Sequence, residues 1–169
     1  MLSTAMQEAL NRQVQAEFAS AYLYLSLSAY CTGRNYNGFA HWLRVQSQEE
    51  LVHAHRLYDM VLDRGGQVTL QAIEAPPSDY ESLLDVMQQS LAHEQKVTAL
   101  IQELYAVAVR ENDYTTQAQL QWFLTEQVEE EKTAETIVEQ LRQIGGQTAG
   151  IFLLDRELAA RRPSAPPPA

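Results

Sequence analysis

The run GFAHWLRVQSQEELVHAHRLYDMVL, residues 38–62, decides the fold of this chain. Its inward positions step by 3 and 4 through Phe39, Leu43, Gln46, Glu50, His53, Leu57 and Met60, the period of one buried helical face. Polar residues hold the middle of that face. Three other segments share the pattern: Leu10, Val14, Glu17, Ala21, Tyr24, Ser28, Cys31; then Leu83, Met87, Ser90, Glu94, Val97, Ile101, Leu104, Ala108; then Leu120, Phe123, Gln127, Glu130, Ala134, Ile137, Leu141, Ile144. Each stripe is broken by acid near its centre, so the four breaks meet at one level of a helical bundle. An unpaired carboxylate buried in an apolar core costs several kcal/mol, and neighbouring ones also repel. No Lys or Arg lies on any stripe to compensate. Two divalent cations balance four carboxylates, and Glu50-x-x-His53 places carboxylate and imidazole on one helical face.

Helix boundaries follow from punctuation. Ser3 is expected to cap the first helix, with Gly33 supplying a left-handed turn at its end. The second begins after Asn35 and Asn37 and stops before Gly65-Gly66. Ser78-x-x-Glu81 reads as a capping box for the third, and Asn112-Asp113 caps the fourth, which runs to Gly145-Gly146. Short first and third connections make antiparallel hairpins. The connection from Gly65 to Asp79, extended at about 3.3 Å per residue, reaches roughly 50 Å, enough to travel the length of a helix. The expected fold is therefore an all-α four-helix bundle with one long crossover. A short fifth amphipathic helix at the C-terminal end, with Ile151, Phe152, Leu154 and Leu158, packs outside the bundle. Residues 1–160 form one domain; residues 161–169 are expected to be a disordered Pro-rich tail.

The 169-residue chain carries a formal charge of −10, which argues against a nucleic-acid partner and is compatible with attracting cations. One cysteine, Cys31, excludes an intramolecular disulfide framework and reads as a buried structural thiol. No apolar run approaches the roughly 20 residues that span a bilayer, so no membrane partner is expected. Glu8, Arg12 and Glu17 interrupt any secretory signal, making the expected location cytoplasmic.

Glu17, Glu50, His53, Glu94, Gln127 and Glu130 make a hard, oxygen-rich ligand set, suited to iron or manganese rather than structural zinc. The two hairpins are unequal: the second offers Gln127-x-x-Glu130 where the first has Glu50-x-x-His53. One metal keeps a histidine and the other has oxygen ligands only, which suits iron passing through as substrate. Tyr24 shares the stripe of Glu17. Trp122 reads as packing, and His41, His55 and His93 as surface residues. Glu126, Glu129 and Glu131 read, from the residues alone, as a solvated acidic face.

Taken in order, Gln15-Ala-Glu17 through Tyr24, Gln48-Glu-Glu50-Leu-Val-His53, His93-Glu94 and Trp122 through Gln127-Val-Glu-Glu130-Glu-Lys132 resemble the prokaryotic non-haem ferritins over residues 1–160. The resemblance implies a ferritin-like domain, a ferroxidase centre in each subunit oxidising Fe(II) with oxygen or peroxide, and a homo-oligomeric shell of 24 subunits storing ferric mineral. The fifth helix would then lie near a four-fold axis. It places Glu17, Glu50 and His53 at a first iron, and Glu50, Glu94 and Glu130 at a second with Gln127 as ligand or hydrogen-bond partner. A third iron falls to Glu49, Glu126, Glu129 and Glu130. It also implies that Tyr24 hydrogen-bonds a ligand carboxylate or donates an electron. Haem is not expected: the haem-binding relatives carry methionine at the position of Leu51 and histidine at that of Glu130. A di-iron peroxidase or oxidase holding iron as a fixed cofactor is the competing expectation.

Overall fold

The computed structural model describes residues 2–163. Ser3 opens α1, Thr4–Gly33, by accepting from the Met6 amide at 3.2 Å. α2 spans Asn37–Asp63, α3 Leu83–Arg110, α4 Tyr114–Ile144 and α5 Thr148–Leu158. Asp113 caps α4 by accepting from the Thr116 amide, and Gly145 and Gly146 take the left-handed turn after it, at φ 58° and 81°. Two boundary expectations need correction. The left-handed residue after α1 is Asn35, φ 63°, rather than Gly33; asparagine tolerates that region better than other side chains. The cap of α3 is Ser82, accepting from the Asp85 amide at 3.0 Å, while Asp85 accepts from the Glu81 amide. Residues 78–81 stay outside the helix because Tyr80 is buried, its ring against Tyr30 and its hydroxyl donating to the Pro77 carbonyl at 2.7 Å.

The crossover between α2 and α3 runs along α1, tied by a polar ladder. Gln7 accepts from the Gln67 amide; Asn11 bridges the Gln67 carbonyl and the Thr69 amide; Gln15 donates to Ala72 and Ser26 to Pro77. These tethers step from the start of α1 toward its end. The chain has therefore returned to the far end of the bundle when α3 begins, and α2 and α3 run parallel. This is the single-crossover four-helix bundle that the connection lengths predict, with the short α5 packed outside it and no strand among the described residues.

The apolar interior falls into two clusters. One holds Tyr24, Leu27, Phe39, Leu43, Met87, Ile137 and Leu141; the other holds Leu10, Val14, Leu57, Val97, Ile101, Leu120 and Phe123. Along every bundle helix the interrupting acids lie between the two. α5 extends the first cluster by burying Leu154 and Leu158, while Phe152 and Leu153 face outward. Its Asp155 accepts from the Gly38 and Phe39 amides at 2.8 and 3.1 Å, supplying the α2 cap that Tyr36 does not. A Cβ at Gly38 would stand 1.6 Å from the Asp155 carbonyl oxygen, so this approach requires glycine. No described helix is long and apolar enough to cross a membrane.

Candidate metal centre

Between the two apolar clusters, Glu17, Glu50 and Glu94 are each 1% exposed, and His53 and Gln127 are also buried. Such burial follows from helical phase, since each residue continues the stripe that faces the neighbouring helices. Glu130 is half-buried, with its Oε2 fully enclosed. Their ligand atoms converge in three overlapping triads: Glu17, Glu50 and His53; Glu50, Glu94 and Glu130; and His53, Glu126 and Glu130, each within 4.8 Å of one another. Glu50 belongs to two triads, His53 to two, and Glu130 to two.

Glu50 has both oxygens buried without a hydrogen-bond donor, and Glu17 Oε2 and Glu130 Oε2 share that condition. His53 Nδ1 lies 3.5 Å from Glu50 Oε2. Burial raises the pKa of Glu50 well above the carboxylate range, and the charges of Glu94 and Glu17 raise it further. Glu130 is raised likewise, by burial first and then by Glu50 and Glu94; Glu94 is raised by burial against hydrogen bonds that favour its charge. Orphaned oxygens aimed at shared points are what divalent cations satisfy, and the hard donor set fits iron.

Surrounding side chains orient the acids. Tyr24, wholly buried, donates its hydroxyl to Glu94 Oε1 and lies 3.2 Å from the Ser90 hydroxyl. Burial and the nearby carboxylates raise its pKa, so it keeps its proton. Gln127 donates to Glu94 Oε2 at 3.2 Å and to the Glu94 carbonyl at 3.3 Å, making it a hydrogen-bond partner of the centre here. Gln13 donates to Glu17 Oε1 at 2.7 Å. Trp122 and Phe123 meet the His53 ring edge-on at 5.3 and 5.8 Å, a packing role.

Several placements differ from the sequence expectation. His93 is half-buried, not a surface residue: its Nε2 lies 2.7 Å from the Ser20 hydroxyl, its ring meets Tyr24, and burial lowers its pKa to about 4. The outer triad gathers Glu126 and Glu130 with His53, whereas Glu49 and Glu129 are not among its members. Glu129 is exposed. Glu49 instead pairs with Arg161, a residue the sequence assigns to the tail. Residues 164–169 of that expected tail lie outside the described residues. Gln13 is legible as an i, i+4 neighbour of Glu17, but Arg161 has no local signal because its partner lies 112 positions away.

Comparisons with known proteins agree with the fold. The family described as Ferritin-like domain matches residues 7–144. Bacterial non-heme ferritins of Staphylococcus haemolyticus and Staphylococcus aureus (strain USA300) are 40% and 39% identical over 161 residues, covering 95% of this chain and 97% of theirs. An engineered closed form of Archaeoglobus fulgidus ferritin superposes with a TM-score of 0.95 at 48% identity, over 97% of this chain and 100% of that one. The open-pore ferritin of the same archaeon gives 0.93 at 48% identity, over 95% and 98%.

Proposed function

The chain belongs to the ferritin family, and from that premise we propose that it stores iron, oxidising Fe(II) to Fe(III) at a centre inside each subunit. The observation that carries this reading is the position of Glu50, a buried carboxylate with two unpartnered oxygens shared between two triads. Iron is the substrate. Glu17 and His53 complete one position around Glu50, and Glu94 and Glu130 the other. Two Fe(II) ions neutralise the four carboxylates. Each gives up one electron; dioxygen takes both with two protons and leaves as hydrogen peroxide, or peroxide takes them and is cleaved to water.

Tyr24 and Gln127 hold Glu94 by its two oxygens, fixing the carboxylate before iron arrives. The position without imidazole binds iron less tightly, which favours onward movement. The outer triad of His53, Glu126 and Glu130 leads from the buried pair toward half-buried acids, a direction of exit. Ferric iron then collects in the cavity of a shell of 24 copies. Exposed Tyr22, Leu25, Leu51 and Val52 on α1 and α2, with Phe152 and Leu153 on α5, support assembly because subunit contacts would cover them.

The test adds Fe(II) aerobically to metal-free protein, following oxidation, iron retained per chain and particle mass. Many irons held per chain in a particle of 24 copies is the expected result. Glu50→Ala and His53→Ala should slow initial oxidation by more than about tenfold while assembly persists. A small oligomer keeping about two irons through many turnovers would overturn storage in favour of a fixed-cofactor oxidase.

A further inference from the structure

A histidine that holds a metal is ordinarily steadied by a hydrogen bond from its other ring nitrogen to a carboxylate or carbonyl outside the site. His53 makes no such bond among the described residues. Its polar neighbours are the carboxylates of the centre itself, with Glu50 Oε2 3.5 Å from Nδ1. The imidazole is oriented by aromatic packing instead. Trp122 and Phe123 meet it edge-on, and they meet each other at 4.9 Å and 82°. Both rings reach across from α4, and no Cα of α2 lies within 8 Å of an α4 Cα among the described residues. Side chains, not backbone contact, therefore set how these rings lie.

Phe123 is buried, but Trp122 is only half-buried, so packing alone leaves the indole a way out. Arg56 closes it. One turn beyond His53 on α2, its guanidinium lies 4.5 Å from the centre of the Trp122 ring and 5.7 Å from that of Phe123. Arg56 forms no ion pair among the described residues; Nη2 reaches Gln119 Oε1 at 3.4 Å, and Nη1 is buried without an acceptor. Leaving a buried N–H unpaired is costly unless another interaction offsets the loss, and here that interaction is the stack on the indole. We propose that Arg56 is a positioning residue for the first iron: it clamps Trp122 against His53 and so holds the imidazole toward Glu50 and Glu17, in place of the missing hydrogen bond. This rests on the metal-centre reading above and adds the support of its one nitrogen ligand. The charge of Arg56 by itself repels a cation, so clamp and charge act with opposite signs and the sign of the effect separates them.

The experiment is calorimetric titration of Fe(II) under argon into assembled wild type, His53→Ala, Arg56→Ala, Arg56→Lys, Trp122→Leu and the Arg56→Ala/Trp122→Leu double variant. It reads binding without turnover, and His53→Ala identifies the step that belongs to the histidine-bearing position. Arg56→Ala should weaken that step about tenfold, as expected for losing the outer support of a metal-bound histidine, and leave the others unchanged. Arg56→Lys should recover part of the loss, because an ammonium still stacks on the indole. In the Trp122→Leu background, removing Arg56 should have no further effect. A second readout needs no metal. In a Trp42→Phe background, which leaves Trp122 the sole tryptophan of the chain, Arg56→Ala should lower the fluorescence anisotropy of the indole and Arg56→Lys should largely restore it. A histidine step that is unchanged or tighter in Arg56→Ala, an equal loss without the Trp122 ring, or an indole that stays rigid without Arg56 overturns the clamp. If His53→Ala leaves every binding step in place, the metal-centre reading itself fails and takes the proposal with it.

Discussion

Glu50, Glu94 and Glu130 hold protons above the ordinary carboxylate range of about 4, chiefly because burial disfavours their charged forms. Unfolding returns them to that range. A pKa raised by folding contributes stability that is fully present below the unfolded value and lost as pH rises through the folded one. Metal-free protein should therefore lose melting temperature as pH rises above the ordinary carboxylate range more steeply than Glu50→Gln, which removes one of the titrating acids. A divalent ion should flatten the wild-type slope by replacing those protons. Parallel slopes for wild type and Glu50→Gln without metal would count against this origin. The burial of Glu17, Glu50, His53 and Glu94 is legible in the sequence because helical phase alone decides which face each residue joins. The choice between ligand and hydrogen-bond donor for Gln127 is not, since it turns on how one amide rotates about a fixed backbone.

α5 is held to α2 by a carboxylate at a helix N-terminus, where unpaired amides and the helix dipole both favour negative charge. Asp155→Ala should cost about 1 kcal/mol, a fall of roughly 2–4 °C in the melting temperature of the metal-free protein for a domain of this size. An unchanged transition would mean that solvent caps α2 equally well. The sequence shows α5 as amphipathic but not where it docks, because Asp155 meets amides more than a hundred positions away. The misplaced cap of α3 has a related cause. Ser78-x-x-Glu81 and Ser82-x-x-Asp85 are nearly equal local signals, and the distant partner Tyr30 decides between them by burying Tyr80. Connection lengths are more informative than caps, since the distance a chain must travel does not depend on which side chain meets it.

At the scale of the molecule, four helices agreeing in phase fix the bundle, while the exposed faces that the proposed assembly would cover are less readable. Tyr22, Leu25, Leu51 and Val52 lie off the inward stripes and look like scattered surface residues until the fold sets α1 and α2 side by side. The division of the interior into two apolar clusters has a mechanical consequence. Without cations, the bundle has a soft waist: each end is a packed hydrophobic block, and the layer joining them is acid with orphaned oxygens. Hydrogen exchange in metal-free protein should be slower for the amides of Leu27, Leu43, Ile101 and Leu120 than for those of Glu17, Glu50 and Glu130. Loading divalent ions should slow the second group most, and uniform protection before and after loading would contradict it. Iron in transit would then be a temporary rivet, stiffening each subunit for as long as it stays and loosening it again on departure.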